Sequence, residues 1–308
     1  MLNSTQAGLQ NLGRILFLIY IILLIYDGAL RKWIFPTYEK YIFFVKDIIF
    51  ISIVGSALFV LKGRKFSGLP IALKTVVPIY VLCVLLNAFN PNLPSPLVGF
   101  LGIKLHLMPI FLIVVVAALY QNLNNFLDHG KRLLPLLVIP VCLIAIAQVS
   151  APQDSILNHA VRGGLNSVPN MRDLTRASGT FSYVTGFGAF LIAMFSLTLV
   201  ANISTKFKIN TSLFVLLIVI SSLPTNGSRA VLMSAAIIAI LTFTAIIWKR
   251  LIDISTIIKV FSVLGVSLIL VVIANPDPWQ ALMHRFMTSY HLPGETARFH
   301  SGITNALN

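Results

Sequence analysis

Six arginines, Arg162, Arg172, Arg176, Arg229, Arg285 and Arg298, are the side chains of this sequence whose type and placement could do chemistry. They fall in segments that hold no lysine, whereas Lys62, Lys65, Lys131, Lys206, Lys208 and Lys249 fall in the alternate segments. A guanidinium offers a phosphate or carboxylate two parallel hydrogen bonds; an ammonium offers a compact point charge. A set of loops whose cations are all arginine points to a substrate that carries phosphate or carboxylate groups on that side of the protein.

The elements that must position these arginines are apolar. Hydrophobic residues make up 57% of the 308 and charged residues only 10%. The mean hydropathy is +0.90. Such a composition belongs to an integral membrane protein, not to a soluble domain. The formal charge of +14 is then read through orientation and lipid head groups. No basic and aromatic binding module accompanies it, so nucleic acid is not an expected partner. Cys83 and Cys142 sit in apolar runs without metal or disulfide spacing and read as packing residues.

The expected fold is all-α and polytopic. A hydrocarbon core needs roughly 20 apolar residues at helical rise, and about nine such stretches can be counted, the first from about Arg14 to Leu30. The others lie near 41–61, 70–89, 97–120, 133–150, 180–201, 211–225, 229–248 and 256–274. Having no small-residue cleavage site after its apolar centre, the first reads as an uncleaved anchor. With the N-terminus cytoplasmic, the positive-inside rule is met at Lys62 to Lys65, Lys131-Arg132, Lys206 to Lys208 and Lys249-Arg250. Arg31, Lys32 and Lys40 alone oppose it, with an i,i+4 Asp27–Arg31 pair expected to neutralise part of that charge. Residues 1–274 are thus expected to form one transmembrane helical domain, and 275–308 the start of a periplasmic loop with short interfacial helices. In that loop Trp279, Leu282, Met283 and Phe286 share one helical face, and a second helix is expected near Glu295. The pattern breaks off at Ala306-Leu307-Asn308, as a fragment of a longer reading frame would.

Four places on the arginine-bearing side carry chemistry. Arg172 and Arg176, in Arg172-Asp173-Leu174-Thr175-Arg176-Ala177-Ser178-Gly179-Thr180-Phe181, stand at the mouth of a span that begins with small residues. Either they grip a phosphate, or Asp173 neutralises them in a hydrated loop. Thr225-Asn226-Gly227-Ser228-Arg229-Ala230 is a tight turn opening a helix, where free N–H groups and a guanidinium converge. The alternative is a simple hairpin with Ser228 as N-cap. Arg298 and Arg285 lie on the tail helices, and His159, His284, His291 and His300 are available as bases. Inside the spans, Lys46, Asp47, Lys74 and Lys259 lie near helix ends and can snorkel. Lys104 and His106, just before Pro109, form a possible intramembrane polar site. Nine acids are scattered through the chain, so no metal cluster is expected.

At these residues the chain resembles the O-antigen ligase and polymerase family, bacterial membrane glycosyltransferases of polysaccharide and lipopolysaccharide biosynthesis. Arg176-Ala177-Ser178-Gly179-Thr180-Phe181 looks like the family's Arg and Ser-Gly-Thr-Phe stretch, and Ser228-Arg229 like its Ser-Arg-Gly motif, with Ala230 in place of the glycine. Arg298 is similar to the arginine that opens a helix in the family's large periplasmic loop, and Asp27 to Pro36 resembles an N-terminal signature of a subgroup. The resemblance implies a multi-pass protein of the bacterial inner membrane, binding a polyprenyl-pyrophosphate-linked oligosaccharide through Arg176, Arg229 and Arg298, with Arg172 as a further candidate. A glycan or lipid acceptor would attack with inversion, without cofactor or metal. The family's loop histidine has no match up to Asn308, and its motif would lie beyond. A chain lacking it is expected not to catalyse. A transporter or flippase for a lipid-linked or anionic solute is a second reading, for which Lys104, His106 and Pro109 are the hint, and a non-catalytic membrane partner is a third.

Overall fold

The computed structural model describes residues 4–61, 71–120, 123–161, 176–205, 210–249 and 276–288, with isolated positions between 253 and 273. These are helical, with no β-strand among them. Helix α1 (Ser4–Ala29) passes into a π-helical turn (Leu30–Ile34) and a 3-10 turn (Pro36–Tyr38), followed by α2 (Glu39–Leu61), α3 (Ile71–Ala88) and α4 (Pro96–Leu119). Then come α5 (Leu123–Ser150), α6 (Val184–Ser204), α7 (Thr211–Ser222), a 3-10 turn (Pro224–Asn226), α8 (Arg229–Trp248) and α9 (Asp277–Thr288). Helix is the one local structure that pairs every backbone group within the segment, which is why apolar sequence of this length adopts it.

Among the described residues, five stretches are long and apolar enough to cross a membrane: Ala7–Ile34, Pro96–Leu119, Leu133–Ser150, Val184–Ile203 and Arg229–Trp248. Thr75–Ala88 and Thr211–Asn226 are shorter apolar helices. This is compatible with a multi-pass membrane protein. The stretch expected near 256–274 falls largely outside the described residues. The stretch expected at 211–225 is a 12-residue α-helix. A 3-10 turn at Pro224–Asn226 follows it, and Leu223, Thr225 and Asn226 are buried.

The chain forms two compact units. The first takes Met1–Leu24 and Phe43–His129, the second Ile25–Ile42 and Gly130–Asn308. In the first, Phe17, Tyr20, Ile53, Ala57, Val115, Ala118 and Leu119 make the core. The C-terminal carbonyl of Leu119, an orphan of α4, accepts from Gln10 Nε2 at 2.7 Å and Arg14 Nε at 3.0 Å. In the second, α6 packs on both α7 and α8, and α9 lies against α8 and the 3-10 turn at Pro224–Asn226. The amphipathic tail helix expected from the sequence is therefore formed, and it rests on the turn that leads to Arg229.

Candidate functional site

The second unit brings together segments that are far apart in sequence. Ala177 N donates to Thr225 O at 3.0 Å, and Arg176 Nε donates to Asn226 O at 3.0 Å. Asn226 in turn donates through Nδ2 to Val184 O at 2.7 Å. The turn before Arg229 is thus tied both to the loop containing Arg176 and to the start of α6. Gly188 on α6 lets the turn come close: a Cβ there would stand 2.8 Å from Val231 Cγ2 and 3.4 Å from the Asn226 side chain. Gly227 has φ 64° and closes the turn by donating to Pro224 O at 2.9 Å. Only glycine takes that conformation without strain.

A buried glutamine sets the loop's shape. Gln148, 1% exposed near the end of α5, accepts through Oε1 from the backbone N–H of Ser178 at 3.1 Å and of Gly179 at 2.8 Å. Its Nε2 donates to Leu157 O at 2.7 Å. Gly179 has φ 54°, and a Cβ there would be 3.2 Å from both Phe187 and Val141. The Ser-Gly-Thr stretch is consequently a rigid, buried bend and not a hydrated loop.

The third participant is the end of α1. Thr180 Oγ1 donates to Ile25 O at 2.6 Å, Arg31 Nη1 to Ser182 Oγ at 3.2 Å, and Lys32 Nζ to Ser178 Oγ at 2.7 Å. Arg31 also meets Asp27 at 3.4 Å, the i,i+4 pair that the spacing predicts. Gly28 lies directly on the backbone of Thr180, Phe181 and Ser182. The sequence places Arg31 and Lys32 in an outer loop, with no part in binding. In the structure they occupy the π-helical turn, Lys32 buried and Arg31 half-buried. The signal that could have found them was local: Gly28-Ala29, two small residues allowing close approach, one turn before two adjacent cations at the end of a span.

A Cβ at position 28 would collide with backbone, which cannot swing aside. Gly28→Ala is expected to destabilise the protein by about 3 kcal/mol and to lower the thermal unfolding midpoint in detergent. Gly55→Ala is the control, since nothing lies within 4 Å of a Cβ there. It should raise stability by about 0.5–1 kcal/mol, as alanine does for glycine in a helix interior.

Electrostatically the cluster is cationic. Arg31 and Lys32 donate to the bend, Arg176 donates to the turn tied to it, Arg229 follows that turn at the start of α8, and Asp27 pairs with Arg31. Arg229 opens α8, and Ser228 before it is extended, at φ −102° and ψ 120°, making no side-chain cap bond to the helix. Ser228 thus occupies the N-cap position that the simple-hairpin reading gives it, without the side-chain bond. The leading N–H groups of α8 add positive potential at the same place. Such an arrangement can hold an oxyanion through forks and backbone dipoles.

Other candidates are placed elsewhere. Arg172 and Arg298, with Arg162, His291 and His300, lie outside the described residues. Arg285 and His284 are on α9, and His159 is exposed. Lys104 and His106 belong to the first unit and bond to different partners. Lys104 Nζ pairs with Asp47 Oδ2 at 2.6 Å, while His106 Nδ1 shares a hydrogen bond with Tyr80 OH at 3.0 Å. Residues two apart on a helix point to different neighbours. His106 and Tyr80 border a cavity of about 350 Å³ lined also by Cys83, Asn87, Leu93 and Gly102. Among the described residues no three of His, Cys, Asp and Glu are placed to hold a metal. Comparison with protein-family models, with curated proteins and with solved structures finds no match.

Proposed function

We propose that the protein is a membrane glycosyltransferase of the O-antigen ligase or polymerase type, which takes glycan from a polyprenyl-pyrophosphate donor at the periplasmic face of the bacterial inner membrane. In this reading the chain has nine spans with its N-terminus in the cytoplasm, and the bend at Ser178–Thr180 faces the periplasmic side. Arg176 and Arg229 hold the donor's pyrophosphate, with Arg172 and Arg298 completing the grip. An acceptor hydroxyl attacks the anomeric carbon. The new C–O bond forms as the bond from that carbon to the pyrophosphate oxygen breaks, and the configuration inverts. The hydroxyl proton goes to a base, and the guanidinium groups neutralise the charge gathering on the departing pyrophosphate.

The observation that supports this reading most is the pair of hydrogen bonds from Arg176 to Asn226 O and from Ala177 to Thr225 O. They unite the two stretches that carry the resemblance, separated by some fifty residues, around one cationic bend. The test is glycan transfer by the protein expressed from its complete reading frame, with a lipid-linked oligosaccharide as donor and EDTA present. Transfer that persists in EDTA is expected; solute movement across proteoliposomes with no transfer at all would sink the proposal. That second outcome is what a transporter predicts, and the Lys104–Asp47 pair beside Pro109-containing α4 is the observation favouring it.

A further inference from the structure

Among the described residues Lys32 is a charge without a counter-charge. It is 6% exposed, and its ammonium meets the Ser178 hydroxyl at 2.7 Å and the Trp33 ring at 5.8 Å. No carboxylate of the described residues forms an ion pair with it; Asp27 pairs with Arg31. An ammonium has three donors, and one hydroxyl satisfies one of them. A glutamine could make that same bond without burying a charge, so the bond does not account for the lysine. Burying an ion beside a neutral partner costs several kcal/mol, and an ionisable group in an apolar region marks a site where something compensates it. An anion that compensates it would sit beside Ser178, two residues from Arg176 on the bend that Gln148 brackets.

We propose that Lys32 is a ligand-binding residue of this site: its ammonium takes a phosphate oxyanion of the bound ligand, and in the empty protein it rests on Ser178. This rests on the pyrophosphate reading for the source of the oxyanion and extends it by giving the N-terminal segment a direct share in the grip. The flexible four-carbon stem makes the exchange a change of rotamer, and Arg31, half-buried and donating to Ser182, flanks it on the same bend.

The experiment uses the full chain in phosphatidylcholine nanodiscs, titrated with inorganic pyrophosphate or loaded with undecaprenyl pyrophosphate. Binding is followed by calorimetry and by the rise in unfolding temperature. Lys32→Gln and Lys32→Met are expected to weaken binding about tenfold or more, the loss of one charge-assisted contact, and Lys32→Arg is expected to retain it. Ser178→Ala should bind at least as tightly as wild type, because the ammonium no longer has to leave the hydroxyl. A Ser178→Ala variant that loses binding as Lys32→Met does would overturn the inference and make Lys32 a structural prop; this holds even where the Lys32 variants fail to fold. Wild-type binding matched by Lys32→Gln overturns the inference alone and leaves the pyrophosphate reading intact. Stabilisation by phosphatidylglycerol discs instead, abolished in Lys32→Gln, supports the oxyanion role with a lipid head group as its source and removes the pyrophosphate reading. A wild-type protein that binds none of these overturns both.

Discussion

Arg229→Lys is expected to lower glycan transfer by a factor of about 100 or more while leaving the amount of folded protein unchanged. The substitution keeps the positive charge at the opening of α8, so long-range attraction of an anion is preserved. What is lost is the fork, which fixes two oxygens of one phosphate at once and sets the direction of the departing bond. Removing a preorganised donor to developing negative charge costs about 2.7–4 kcal/mol. The loss should appear mainly in the rate at saturating donor if the second hydrogen bond strengthens as the bond breaks. Arg176→Lys is expected to follow the same direction and to be more complex. Arg176 Nε also holds Asn226 O at 3.0 Å, so its lysine variant loosens the turn as well as the grip. Equal rates for wild type and Arg229→Lys would remove the fork from the account and leave charge alone.

Gln148→Met is the second large effect, and it acts through shape. The two side chains have nearly the same volume, so packing in α5 is preserved. The backbone N–H groups of Ser178 and Gly179 lose their acceptor, and Leu157 O loses its donor. Each buried group left unsatisfied costs about 1–3 kcal/mol, giving about 4 kcal/mol or more for the three together. The unfolding midpoint should fall steeply, and the surviving folded fraction should bind pyrophosphate weakly because the bend is no longer held. Effects of Gln148→Met and Arg176→Lys should be non-additive, since both act on the same bend. A midpoint within a degree of wild type would mean that Gln148 is not the bracket described above.

The helices were legible in the sequence because apolar stretches of membrane length leave the backbone no other way to pair its polar groups. Where a helix ends was less legible: residues Thr211 to Thr225 read as one apolar stretch, and α7 ends at Ser222, where Thr225 Oγ1 turns back onto Ser222 O at 2.7 Å. The tight turn before Arg229 was legible because Asn226-Gly227 favours positive φ, and Gly227 adopts it. Its burial was not legible, because nothing local says that α6 passes with Gly188 against it. Gln148 was silent for a related reason: one glutamine near the end of an apolar helix is what an interfacial residue looks like. Lys32 was hidden by arithmetic. Counted as one more cation on the wrong side of the positive-inside rule, it gave no sign that the first helix continues through it as a π-turn onto the Ser178 hydroxyl. Lys104 and His106 lie two residues apart on α4, and they bond to different partners, Asp47 and Tyr80.

The central claim is that a lipid pyrophosphate lies against the bend where these segments meet. A polyprenyl pyrophosphate carrying a photoreactive diazirine beside its phosphates, cross-linked to the protein in nanodiscs and mapped by mass spectrometry, tests it most directly. The predicted cross-links fall on residues 176–182 and 225–230, disappear with excess unlabelled lipid pyrophosphate, and weaken in Arg229→Lys. Cross-links concentrated around Tyr80 and His106 in the first unit, or spread evenly over the helices regardless of competitor, would contradict the account.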